Sequence, residues 1–297
     1  MQRTLACMAA ACALATGAAH AQNYPAKPIR LVVGFPAGGP ADIFGRAIAQ
    51  KLTEVAGQQV VVDNRAGAGG ILATENVAKA PADGYSVYLA SSAVLAFYAN
   101  LFDKLPYDLN RDFVPVTMAI AVPEMLVVHP ALPVKTTREF VALAKSKPGV
   151  LSYGTPGNGS LHHLFMETLK SQYGIDIVHV PFKGAVLAFQ AFMAGDLGVA
   201  VQAILTAEPQ MKSGTMRRIL AAAPQRSRFV TNVPSLAEVG IDGSFAGDLG
   251  YIARGGTPKP IVDKLAAALA KAAQNPDFQK QLENFYADPL FRTPEQF

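Results

Sequence analysis

"GFPAGGPADIFGRAI", residues 34–48, follows the apolar run "IRLVV" and decides the reading of the fold. A strand breaks on Pro and Gly, and a helix begins at once. Such a turn aims unpaired backbone N–H groups and the positive end of a helix dipole at whatever lies in front of it. That makes it an anion cradle, although the same residues would also serve as a plain strand-to-helix turn with no ligand. Nucleotide fingerprints are missing. Gly39 is followed by Pro40 where a Walker loop needs Gly-Lys-Ser/Thr, and neither this turn nor "GAGG" from Gly67 supplies G-x-G-x-x-G. Asp42 is expected to cap the helix that follows.

Around this stretch, apolar runs alternate with helical patterns: "IRLVVGF", "ADIFGRAIAQKLTEVAG", "QQVVVDN", "ILATENVAKA" and "GYSVYLAS". This is a βαβαβ unit, which builds parallel strands with a ligand at their carboxyl ends. Gly34, Asn64 and Ser91 fall at such ends. The pattern loosens through "FDKLPYDLNRDFVPVTMAIAV", and a second α/β series then begins at "EMLVVHP". Within it, "LSYGTPGNGSLHHLFMETLK" repeats the opening architecture of strand, Gly/Pro break and amphipathic helix. Each of two lobes therefore carries a cradle.

In the second cradle Ser160 is the expected N-cap, and Asn158, Gly159 and Ser160 offer donors. His162 and His163 point about 100° apart on a helix, so they do not share a metal ion; each is either structural or, for one of them, a ligand contact. Lys183 in "VPFKGA" stands either across the cleft from an anion or on a solvated turn. The tail "FAGDLGYIARGG" is expected to return a strand to the first sheet, and "TPKPIVDKLAAALAKAAQ" to form a helix. The chain would then cross between lobes near residues 119–123 and 243–248, the hinge layout of a two-lobed binding protein. The expected division is 22–122 plus 245–297 for the first lobe and 123–244 for the second.

Composition bounds the rest. The 297 residues are 51% apolar and 16% charged, enough for a large core. The net charge of +4 is scattered without a Lys/Arg block, which argues against a nucleic-acid partner. Residues 1–21 read as a signal peptide: Arg3, an apolar stretch too short to span a bilayer, and Ala19-His20-Ala21 as the cleavage site. Both cysteines, Cys7 and Cys12, lie in it, so an exported mature chain starting at Gln22 has no thiol, in keeping with a periplasmic location. No G-x-S-x-G occurs, since "GSFAG" from Gly243 places its Ser one position early, and paired carboxylates on an apolar helix face are missing. Nothing signals catalysis.

The blocks "YPAKPIRLVVGFPAGGPADIFGRAIAQKL", "VVVDNRAGAGG", "APADGYSVYLA", "YGTPGNGSLHHL", "VHVPFKGA" and "GGTPKPIVDKL" resemble, in order, those of the Bug family. These are the periplasmic solute-binding proteins of tripartite tricarboxylate transporters. The resemblance implies a type II periplasmic-binding-protein fold, α/β in class, with two α/β lobes closing on a small organic acid. It implies no enzyme activity, no cofactor and no metal. It also implies membrane transporter subunits as partners and a monomeric receptor; the same fold signalling to a sensor kinase without transport is the alternative. Ligand identity stays open among dicarboxylates, amino acids and aromatic acids or amides.

In this family the ligand carboxylate is held by the two cradle loops through backbone N–H groups and ordered water. Carried onto this chain, that implies Phe35, Ala37, Gly38, Asp42, Ser91, Gly154, Asn158, Ser160, His163 and Lys183 at or near the ligand. Gly159 is expected to keep the second cradle open. The chain departs from the family pattern in having no Trp, with Asp248 in its place, and in carrying Gly198 and Gln202 in "LGVAVQA". It also stops at "TPEQF", where the resemblance implies a further helix. Asp248 is expected either at the cleft floor, facing the donor end of an amino or amide ligand, or turned away to solvent or to Arg254.

Overall fold

The computed structural model describes residues 24–291 and 293–296. The expected signal peptide and cleavage site, with both cysteines, lie outside the described residues. The opening stretch folds as strand β1 (Ile29–Val33), helix α1 (Pro40–Ala56), β2 (Val60–Asn64), α2 (Ile71–Ala78) and β3 (Ser86–Ser91). Helix α1 begins with Gly39 as N-cap and Pro40 in its first turn, and ends where Gly57 takes a left-handed φ of 68°. Gly39, not Asp42, is therefore the cap residue; Asp42 sits one turn in. Phe44, Ile48 and Leu52 recur every four residues and form the buried face of α1, each worth about 1.5–3 kcal/mol of burial.

Next come β4 (Phe113–Ala121), β5 (Glu124–Val128), α3 (Thr137–Ser146), β6 (Ser152–Thr155), α4 (Leu161–Tyr173), β7 (Val178–Pro181), α5 (Ala185–Met193), β8 (Val199–Ala203), α6 (Ile204–Lys212) and β9 (Arg217–Ala221). The tail adds β10 (Leu249–Arg254), α7 (Lys259–Ala273), α8 (Pro276–Asn284) and β11 (Asp288–Pro289).

Two mixed sheets result. The first runs β11-β4-β10-β3-β1-β2 and the second β7-β6-β8-β5-β9. Strands β2, β1 and β3 are parallel, as a βαβαβ unit requires, while β10 enters antiparallel between β3 and β4. Strand β4 lies inside the stretch where the sequence pattern loosens. Its Pro115 cannot donate to a ladder, and opposite it the register with β10 shifts between Tyr251 and Ile252.

Helices cover both faces, and α7 packs against α1 over a core that includes Phe44, Ile48, Leu265 and Leu269. Val122 and Pro123 carry the chain from the first sheet to the second, and the segment before β10 carries it back. The two crossings run side by side: the Gly247 amide donates to the Val122 carbonyl at 2.9 Å. Among the described residues no helix is long and apolar enough to cross a membrane.

Candidate functional site

A cavity of about 370 Å³ lies between the lobes. Four helix N-termini open onto it. Gly39 and Pro40 bring the start of α1, Ser160 and Leu161 that of α4, Ala185 and Val186 that of α5, and Ala203 with Leu205 that of α6. One of these belongs to the first lobe and three to the second. Among the described residues no Lys or Arg lines the cavity, so the groups there that favour an anion are the helix N-termini. The body of the wall is apolar, with Phe35, Val122, Phe189, Leu205 and Leu249 facing inward.

Of the residues anticipated from sequence, Phe35, Gly38, Ser91 and Ser160 line the cavity. The Ser91 hydroxyl is buried without a hydrogen-bond partner. Ser160 caps α4 by accepting from the His163 amide at 3.3 Å. Asp42 lies behind the first cradle. It accepts from the Gly38 amide at 2.9 Å, from Arg46 Nε at 3.0 Å and from Asn64 Nδ2 at 2.9 Å, while Asn64 Nδ2 also donates to the Phe35 carbonyl at 3.1 Å. Burial pushes the Asp42 carboxyl up, but bonds from Arg46, Gly38 and Asn64 outweigh it and hold the group below the usual carboxylate range. The carboxylate thus pins the loop rather than facing the cavity.

The adjacent histidines part company as helix geometry requires. His162 lines the cavity. His163 sits behind the second cradle, where its Nδ1 accepts from the Gly159 amide at 3.1 Å and its ring stacks on His179 at 4.0 Å. Burial, with the neighbouring His163, lowers His179 to about 4, and its Nε2 lies 2.7 Å from the Thr155 hydroxyl.

Ala37, Asn158 and Lys183 are exposed and off the cavity wall. Gly154 is buried in β6, where a Cβ would stand 2.4 Å from Leu197 Cδ1. Gly159 faces the seam between lobes: a Cβ there would stand 2.7 Å from Leu101 Cδ2. Asp248 does not line the cavity, and its carbonyl accepts from the Ser92 amide at 2.9 Å. Arg254 is engaged elsewhere, donating to the Asp112 carbonyl at 2.8 Å.

The sequence reading did not single out Glu124 and Thr206, and it noted Gln202 only as a departure from the family pattern; all three line the cavity. Glu124 opens the otherwise apolar "EMLVV" directly after the crossing at Pro123, and an acid at that place was the available signal. Gln202 and Thr206 are joined, the Thr206 hydroxyl donating to Gln202 Oε1 at 3.3 Å.

A family model described as "Tripartite tricarboxylate transporter family receptor" matches residues 44–297. Protein BugT of Bordetella pertussis is 34% identical over 278 residues, covering 93% of this chain and 85% of its own. Among solved structures, an R. palustris protein with adipate shares 31% identity at a TM-score of 0.86, covering 92% of each chain. MatC from Rhodopseudomonas palustris with bound malate shares 32% identity at a TM-score of 0.84, again over 92% of each chain. The fold is the two-lobed α/β fold of these periplasmic binding proteins.

Proposed function

The chain belongs to the tripartite tricarboxylate transporter receptor family, whose members are periplasmic solute-binding proteins rather than enzymes, and from that premise we propose that it closes on a small carboxylate and delivers it to the membrane subunits of such a transporter. One observation carries the reading: four helix N-termini converge on one interlobe cavity that has no cationic side chain. Each such terminus favours an anion by about 0.3–1 kcal/mol, more when partly buried, and a charge-assisted hydrogen bond adds about 1.5–3 kcal/mol. Gly39, Ser91 and Ser160 are the donors assigned to the carboxylate. Two relatives bind adipate and malate, which supports a carboxylate ligand here.

The test uses the chain from Gln22, purified and examined by native mass spectrometry, then screened by thermal shift against organic acids. A true ligand at one hundred times its Kd should add about 2.7 kcal/mol of stability. Failure of every carboxylate to stabilise the fold overturns the reading. Export followed by cleavage after Ala21, and action as a monomer, belong to the same proposal; N-terminal sequencing of the exported chain and light scattering check them.

A further inference from the structure

Among the side chains lining the cavity, Glu124 is the one carboxylate, and no Lys or Arg faces it. It is only 7% exposed. Its backbone is fixed twice over: its carbonyl accepts from the Ala222 amide at 2.8 Å, and it pairs with Ala203 across the β5–β8 ladder. The side chain is confined as well. A Cβ on Gly247 would stand 2.7 Å from Glu124 Oε1, so the segment that returns to the first sheet packs against one face of the carboxylate. Oε2 has no hydrogen-bond partner. His162 Nε2 stands 3.3 Å from that oxygen, at ion-pair distance though outside hydrogen-bonding geometry.

A buried carboxylate oxygen without a donor is costly. Elsewhere the chain satisfies its buried acids: Asp42 accepts three hydrogen bonds, and Asp112 takes two from Arg111 and one from the Asp108 amide. Glu124 differs in facing a cavity built for a small molecule. A second ligand carboxylate placed beside it would meet a like charge in a poorly solvated space, where such repulsion is strongest. An N–H group there would supply the missing donor.

We propose that Glu124 makes this receptor select acids that carry one carboxylate, an apolar body and an N–H donor, ammonium or amide, at the other end. The proposal rests on the carboxylate reading above and adds the chemistry of the far end. The helix N-termini take the carboxylate, the apolar wall takes the chain, and Glu124 Oε2 accepts from the nitrogen. Glu124 is thus a specificity residue whose effect is on which acid binds, not on whether acids bind.

Isothermal titration of the chain from Gln22 decides it, using matched straight-chain acids of four to six carbons: the ω-amino acid, the monoamide of the diacid, the diacid, and the plain monocarboxylate. The amino acid or the amide is expected to bind at least tenfold tighter than the diacid of equal length. Glu124→Gln should shrink that advantage to less than threefold. A diacid that binds as tightly as the nitrogen ligands in the unmodified protein overturns the proposal, and that comparison needs no variant to fold. An undiminished preference in a folded Glu124→Gln protein overturns it too. Binding of plain acids with no preference for nitrogen defeats this inference alone, whereas binding by no carboxylate defeats it together with the reading beneath it.

Discussion

Gly184 meets Pro36 across the mouth of the cleft, and a Cβ on the glycine would stand 2.8 Å from Pro36 Cγ. The glycine also holds a φ of 126°, a conformation that L side chains rarely adopt. Gly184→Ala should therefore hold the lobes apart at this edge, with overpacking of about 1–3 kcal/mol felt only in the closed form. Small-angle scattering in the presence of ligand should show a larger radius of gyration than the unmodified protein, with affinity down at least tenfold. An unchanged radius and affinity would mean that the two lobes do not close on this contact.

Gly159→Val acts on the seam rather than on the cavity. The added atoms collide with Leu101 and Phe102 of the first lobe, at 2.7 and 3.0 Å for the Cβ alone, and the φ of 72° is left-handed. A non-glycine residue in that conformation costs about 1–2 kcal/mol. The expected outcome is a lower melting temperature together with weaker binding of every ligand by a similar factor. Loss confined to one ligand class would show that residue 159 touches ligand directly.

Asp42→Asn should loosen the first cradle. The Asp42 carboxylate has its pKa lowered in the folded protein, so it contributes stability above the unfolded value of about 4, and that contribution is lost as pH falls through the folded value. Unfolding melts recorded from pH 6 to pH 3 should therefore fall more steeply for the native chain than for Asp42→Asn. Parallel curves would assign the acid sensitivity to other carboxylates.

His179 predicts the opposite kind of group with the same direction in pH. Its folded pKa of about 4 lies below the usual imidazole value, so the unfolded chain takes up the proton first and stability declines as pH drops from about 6.5 toward that value. The charged and titratable neighbours are His163, Glu167 and Lys170, of which Glu167 alone favours the proton. His179→Gln should flatten the melting curve between pH 6.5 and 4, and an NMR titration should find the ring neutral at pH 5.5. A ring half-protonated near 6.5 would refute the assignment.

Sequence punctuation revealed the strand-loop-helix units because apolar runs, Gly and Pro mark their borders regardless of what packs on them. The strand from Phe113 to Ala121 escaped that reading: Pro115 interrupts it, and only the neighbouring β10 makes it a strand. The same limit governs the site. Gly-rich loops announce themselves, yet which of His162 and His163 faces the ligand depends on how α4 is rotated against the lobe. Lys183 follows β7 by two residues and is exposed. Glu124 lies in a strand buried on every residue, so its chemistry becomes visible only when β5 is seen to begin at the crossing, one side chain away from an empty space.

The convergence of helix ends has a mechanical side. Helix α1 presents its positive pole from one lobe, and α4, α5 and α6 present theirs from the other. Shutting the cleft brings like poles together. An anion between them turns that mutual repulsion into attraction toward a shared centre. On the carboxylate reading proposed above, the solute would then fasten the closed form, and the free receptor would favour the open one.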